Sequence, residues 1–139
     1  MKFNTRIRYG IRAMLEIALN ETEDGVYQKD IADRQDISVK YLDTIISGLK
    51  TSGLIVNKRG RKSGYILTRK PEKIRMLDIY NAFEPGVVIV DCIEKNYVCT
   101  LAKLCGAREF WLGLNDVIEN YFSSYTLEDL INEHRSKVQ

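Results

Sequence analysis

The feature that most narrows the possible folds lies between residues 36 and 53. Asp36-Ile37-Ser38 reads as a turn ending in a good N-cap residue, and Leu42, Ile45, Ile46 and Leu49 follow at i, i+3, i+4, i+7 spacing. A helix so patterned must bury one face. Its opposite face, with Lys40, Asp43, Thr44, Ser47 and Lys50, is polar and rich in hydrogen-bonding groups. Gly53 stands where glycine most often ends a helix. A short helix precedes the turn, from about Gln28 to Arg34, with Ile31 and Ala32 directed inward. Two helices joined by a short turn, the second presenting a polar outer face, form a helix-turn-helix.

The flanking sequence completes the unit. Ile7, Ile11, Met14, Leu15 and Ala18 share one face of a helix capped by Asn4 or Thr5 and running to about Leu19. Beyond Gly53, Leu54-Ile55-Val56 and Tyr65-Ile66-Leu67 read as two short strands around a tip, Asn57 to Gly64, in which four of the five residues from Lys58 to Lys62 are basic. Met76, Ile79, Tyr80 and Phe83 outline another amphipathic helix, stopped by Pro85-Gly86. Residues 86–105 are irregular. A long helix starts near Ala107, its apolar face made by Phe110, Trp111, Leu114, Val117, Ile118, Tyr121 and Phe122, and its 111-114-118-121 spacing is that of a helix–helix seam. Thr126 with Asp129 three residues on is a capping-box start for a final helix. The expected fold is mainly α with a small β-wing: a winged helix-turn-helix over 1–84, a cysteine-containing sensor loop over 85–106, and a dimerisation helix with a C-terminal helix over 107–139.

Charge is unevenly placed. Residues 1–70 carry 14 of the 21 Lys and Arg but 8 of the 19 Asp and Glu, so the front of the chain is +6 and the remainder −4. A basic front suits a polyanion. Reading DNA in the major groove requires a helix whose outward side chains reach base edges while its other face is held by a core. Ser38, Lys40, Tyr41, Asp43 and Thr44 lie in the first turns of the proposed reading helix, and Gln28 of the preceding helix joins them as a candidate. Lys40 suits a guanine edge or a phosphate. Asp43 suits a cytosine amino group, or simply offsets the positive end of its helix. Arg59, Arg61 and Lys62 on the hairpin suit phosphates, and the two arginines suit a narrow minor groove. Gly64 lets the hairpin close without steric conflict.

The three cysteines, Cys92, Cys99 and Cys105, fall within fourteen residues. No stretch approaches the roughly 20 apolar residues of a membrane helix, and no apolar leader follows Lys2, so a cytoplasmic protein without membrane association is expected. In a reducing compartment clustered thiols point to metal or redox chemistry rather than disulfides. Enzymatic chemistry is not expected. The single histidine, His134, stands beside no nucleophile, and neither a phosphate-cradling glycine motif nor a paired-carboxylate site is present.

Several segments together resemble a known family. Arg8-Tyr9, Ala13-Met14-Leu15, Asp30-Ile31-Ala32, Ile37 to Leu42, the wing Arg59-Gly60-x-x-x-Gly64-Tyr65, the long helix and Thr126-Leu127 are similar to the IscR-type iron–sulfur regulators, over nearly the whole chain. The resemblance implies a homodimer that binds a double-stranded DNA operator as a transcriptional regulator. It also implies an iron–sulfur cluster, 2Fe–2S before 4Fe–4S, on Cys92, Cys99 and Cys105. The chain departs from the family pattern at Arg61 and Lys62, where small residues and proline are usual. It departs again at the fourth ligand. One branch has a histidine three residues past the last cysteine, where this chain has Arg108; another has an acidic residue where this chain has Arg8. Neither guanidinium offers a lone pair to iron. Glu94, Glu109, a backbone group or water are the remaining candidates. Direct sensing by the thiols, without a cluster, is the alternative on the same DNA-binding fold.

Overall fold

The computed structural model describes residues 2–139. Six helices and one hairpin follow in the order α1 (Thr5–Leu19), α2 (Gln28–Gln35), α3 (Val39–Thr51), β1 (Ile55–Asn57), β2 (Tyr65–Leu67), α4 (Met76–Asn81), α5 (Gly106–Ser124) and α6 (Leu127–Lys137), with short 3₁₀ turns at Pro71–Lys73 and Asp91–Ile93. The fold is the expected one, a mostly helical chain with a two-stranded antiparallel wing. Local chemistry sets the helix starts. Asn4 caps α1 by accepting from the Ile7 N–H at 2.9 Å, and Ser38 caps α3 by accepting from the Tyr41 N–H at 3.1 Å. Thr126 and Asp129 form the reciprocal box that opens α6. The turn between α2 and α3 passes through Asp36 at φ 53°, a left-handed conformation that Asp tolerates better than most residues. Among the described residues no helix is long and apolar enough to cross a membrane.

One apolar core joins the reading unit to the end of the chain. Met14 and Ile17 of α1, Leu42, Ile45 and Leu49 of α3, Leu54, Ile79, and Leu127 and Ile131 of α6 are buried together. α6 is fastened there by backbone pairing, the Met76 N–H donating to the Tyr125 carbonyl and the Leu127 N–H to that of Ile74, both at 2.8 Å. The last helix thus packs on the reading head rather than extending the long helix beyond it. Register in the wing runs Ile55–Leu67, Val56–Ile66 and Asn57–Tyr65. Val26 adds a bridge to Tyr65, its N–H donating to the Tyr65 carbonyl at 2.9 Å and its carbonyl accepting from the Tyr65 N–H at 2.8 Å. This explains Gly64 differently from the sequence. A Cβ there would lie 2.5 Å from the backbone of Gly25, so the glycine admits the backbone of residues 25 and 26 against the wing rather than closing the hairpin.

One sequence expectation for the later helices is corrected: Phe83 lies beyond the end of α4, which stops at Asn81. The apolar face of α5 divides between the core and solvent. Ile118 and Phe122 turn inward, onto Ile7, Leu77 and Tyr80, and Trp111 is half-buried. The residues left in solvent are Phe110, Leu114, Val117 and Tyr121, with 64, 36, 65 and 65% of their surface exposed. An aromatic-rich helix has apolar side chains around more than half its girth, so spacing alone does not reveal which stripe meets α4.

Candidate nucleic-acid interface

α1, α2 and the α2–α3 turn are held by a polar network that sets the angle of α3. Glu16, largely buried in α1, accepts from Gln35 Nε2 at 2.7 Å and from Asn20 Nδ2 at 2.8 Å, with Arg34 3.7 Å away. Arg12 donates to the Gln35 side chain at 2.7 Å and also to its backbone carbonyl. A buried carboxylate is tolerated because each oxygen has a donor. Tyr9 adds an edge-to-face contact with Tyr41 at 5.6 Å and 89°, and the Arg12 guanidinium lies 5.0 Å over the Tyr9 ring.

On that support the outer face of α3 is open. Ser38, Lys40, Asp43 and Thr44 are exposed, and Tyr41 is half-buried against Tyr9. Gln28 comes to the same face from α2, where its Nε2 donates to Asp43 at 2.6 Å and to the Val39 carbonyl at 3.2 Å. Asp43 lies outside the first turn of α3, which contains no acidic residue. Its carboxylate pairs with the Gln28 amide rather than offsetting the helix end, and with both N–H groups of that amide used, the pair leaves acceptor oxygens outward. Sequence spacing placed Gln28 and Asp43 among the candidates without joining them; the two helices had to be docked first.

The wing stands beside this face. Lys50 of α3 donates to Asn57 at 3.0 Å and sits over the Tyr65 ring at 5.7 Å, tying the hairpin to the helix. Gly60, at φ 99°, turns the tip, and Ser63 accepts from the Arg59 N–H at 2.7 Å while donating to the Gly60 carbonyl at 2.8 Å. Arg59, Arg61 and Lys62 are exposed. Arg59 lies 3.9 Å from Asp24, and among the described residues Arg61 and Lys62 have no ion pair. A constrained tip with free cations, next to an exposed polar helix face, can neutralise phosphates flanking a groove that the helix enters.

The cysteines are not gathered in this arrangement. Cys92 lies in the Asp91–Ile93 turn, Cys99 in the following loop and Cys105 at the N-cap of α5; all are half-buried free thiols. Among the described residues no three His, Cys, Asp or Glu side chains converge on a point where a metal could sit. Arg108, at the position where one branch of the resembled family has histidine, donates to the Cys92 carbonyl at 3.3 Å and so ties α5 to the segment. Glu94 and Glu109 are exposed and do not complete a site with the thiols. A contact not foreseen from the sequence anchors the other end of the segment. Asn115 of α5, only 8% exposed, donates to the Val87 carbonyl at 2.9 Å and accepts from the Ile89 N–H at 3.0 Å. An isolated amide amid the aromatic stripe was the available signal.

A family model described as Rrf2, iron-dependent transcriptional regulator, matches residues 3–133. The protein named rrf2 from Nitratidesulfovibrio vulgaris is 38% identical over 133 residues, covering 96% of this chain and 89% of the relative. The structure of CymR, the global cysteine regulator of B. subtilis, superposes with a TM-score of 0.78 at 32% identity, covering 96% of this chain and 98% of CymR. IscR from T. potens superposes with a TM-score of 0.74 at 31% identity, covering 96% of this chain and 88% of that one.

Proposed function

The chain belongs to the Rrf2 family of transcriptional regulators, non-enzymatic DNA-binding proteins, and on that premise we propose that it binds a double-stranded operator as a homodimer, with a signal read at its cysteine segment. The observation that carries this reading is the juxtaposition on one surface of the exposed polar face of α3, the Gln28–Asp43 pair and the basic wing tip. Ser38, Lys40, Asp43 and Thr44 face base edges, and Arg59, Arg61 and Lys62 face the backbone and minor groove. Two copies are supported by the exposed stripe Phe110, Leu114, Val117 and Tyr121. It borders an apolar groove of about 580 Å³ that also reaches Phe3, Ile11 and Met76. A surface of this kind calls for a partner.

The signal chemistry has two readings. Cys92, Cys99 and Cys105 are the donor type that 2Fe–2S and 4Fe–4S clusters use, which supports a cluster in kind, as does the likeness to a protein named IscR. Their placement does not fit one, because the thiols do not converge; a cluster requires residues 92–105 to rearrange. Direct thiol chemistry requires no such change, and the likeness to a regulator named for cysteine supports it. Anaerobic purification with absorption and Mössbauer spectra, followed by affinity for a duplex selected from a random pool, separates the two. A cluster whose loss shifts operator affinity supports the first reading. An iron-free protein whose affinity responds to thiol oxidation supports the second. Affinity insensitive to both removes the sensing role and leaves the DNA-binding one.

A further inference from the structure

Gly10 and Gly48 lie inside α1 and α3, where glycine weakens a helix relative to alanine. Both face the ring of Phe83. A Cβ on Gly10 would stand 2.4 Å from its Cε2, and one on Gly48 would stand 2.6 Å from its Cε1. The ring occupies the room of two missing side chains, with α1 at one edge and the reading helix at the other.

From that wedge the chain runs to the first cysteine in nine residues and is held along the way. Glu84 accepts from Asn4, the cap of α1, at 2.5 Å. Val87 and Ile89 are clamped by the buried Asn115 of α5, and the Cys92 carbonyl is held by Arg108 of the same helix. The segment is thus tied to α5 by side chains that bond its backbone, and it starts at a ring packed between two helices. Close-packed contacts of this kind switch between discrete arrangements rather than deforming gradually.

We propose that Phe83 is a positioning residue that couples the cysteine segment to the reading helix. Chemistry at the thiols displaces residues 87–92, the displacement reaches the Phe83 ring, and the ring shifts α3 against α1. The coupling rests on the reading of the cysteines as the sensing element, but it is tested without DNA.

Hydrogen exchange of the full chain is measured before and after alkylation of the cysteines with N-ethylmaleimide, in the wild type and in Phe83→Leu. In the wild type, alkylation is expected to change exchange in residues 87–92 and, by about threefold or more, in residues 45–51 of α3. In Phe83→Leu the response at 87–92 persists and that at 45–51 is lost. Should circular dichroism show that Phe83→Leu does not fold, Phe83→Met, whose unbranched side chain adapts to an irregular slot, takes its place. A wild-type α3 that does not respond overturns the coupling. So does a Phe83→Leu chain whose α3 is looser from the start yet still responds, the signature of plain packing. An α3 response alongside operator affinity that ignores alkylation removes the sensing function instead, so the two failures are distinguishable.

Discussion

Gly48→Ala sets two effects of opposite sign against each other at one position. Gly48 has ordinary helical geometry, so on propensity alone alanine should stabilise α3 by about 1 kcal/mol. The added Cβ, however, would meet Phe83 Cε1 at 2.6 Å, Cδ1 at 3.1 Å and Cζ at 3.4 Å. The ring cannot retreat, because its far edge already fills the notch left by Gly10. Overpacking a core contact costs about 1–3 kcal/mol, and a ring boxed on both sides belongs in the upper half of that range. The expected net effect is a destabilisation of about 1–2 kcal/mol. Urea unfolding at fixed protein concentration reads it, the concentration being held because association shifts the midpoint. In a Phe83→Leu background the penalty should vanish or reverse, a coupling of about 1 kcal/mol or more between the two sites. Gly48→Ala that raises stability by about 1 kcal/mol, as an open helical position would, refutes the wedge.

Four further outcomes are expected. Arg61→Ala should weaken binding to selected and random duplexes alike and lower the slope of log affinity against log salt by about one; unequal losses would place Arg61 on a base instead. Gln28→Ala should change which base is preferred opposite Asp43 while leaving the salt slope intact, read by selection from a randomised duplex; an unchanged preference would remove the pair from the reading surface. Val117→Glu should weaken self-association by about 3 kcal/mol or more in sedimentation while preserving helicity, since Val117 is already 65% exposed within one chain; an intact dimer would move the interface off this stripe. Burial alone would raise the Asp78 carboxyl, but hydrogen bonds from the Arg75 side chain and N–H, with the charges of Arg75 and Arg69, outweigh it and hold it below the ordinary 3.8. A lowered folded value means the contribution is complete above 3.8 and lost as pH falls through the folded value, so Asp78→Asn should lower the urea midpoint at pH 7 and flatten its acid decline. An acid limb equal to that of the wild type would show that Asp78 contributes nothing.

The reading unit was legible in the sequence because its signals are local. Ser38 caps a helix whose buried stripe is set by the 3.6-residue period, Gly53 ends it, and the basic run between two short strands needs only a turn to become a wing. The cysteine segment, α5 and α6 were legible as elements but not as an arrangement. Only the tertiary structure decided that Ile118 and Phe122 face inward while Val117 and Tyr121 do not, since the apolar side of that helix is wide enough for either stripe to be buried. Only docking brought Gln28 to Asp43, Val26 to the wing, and α6 back onto α1. The cysteines lie close in sequence yet apart as donors, and the backbone leading up to and including Cys92 is held by Asn115 and Arg108 of α5 rather than by the thiols themselves. Periodicity and capping report what one segment prefers. Which neighbour a segment meets depends on the others, and that is where the long-range contacts of this chain were settled.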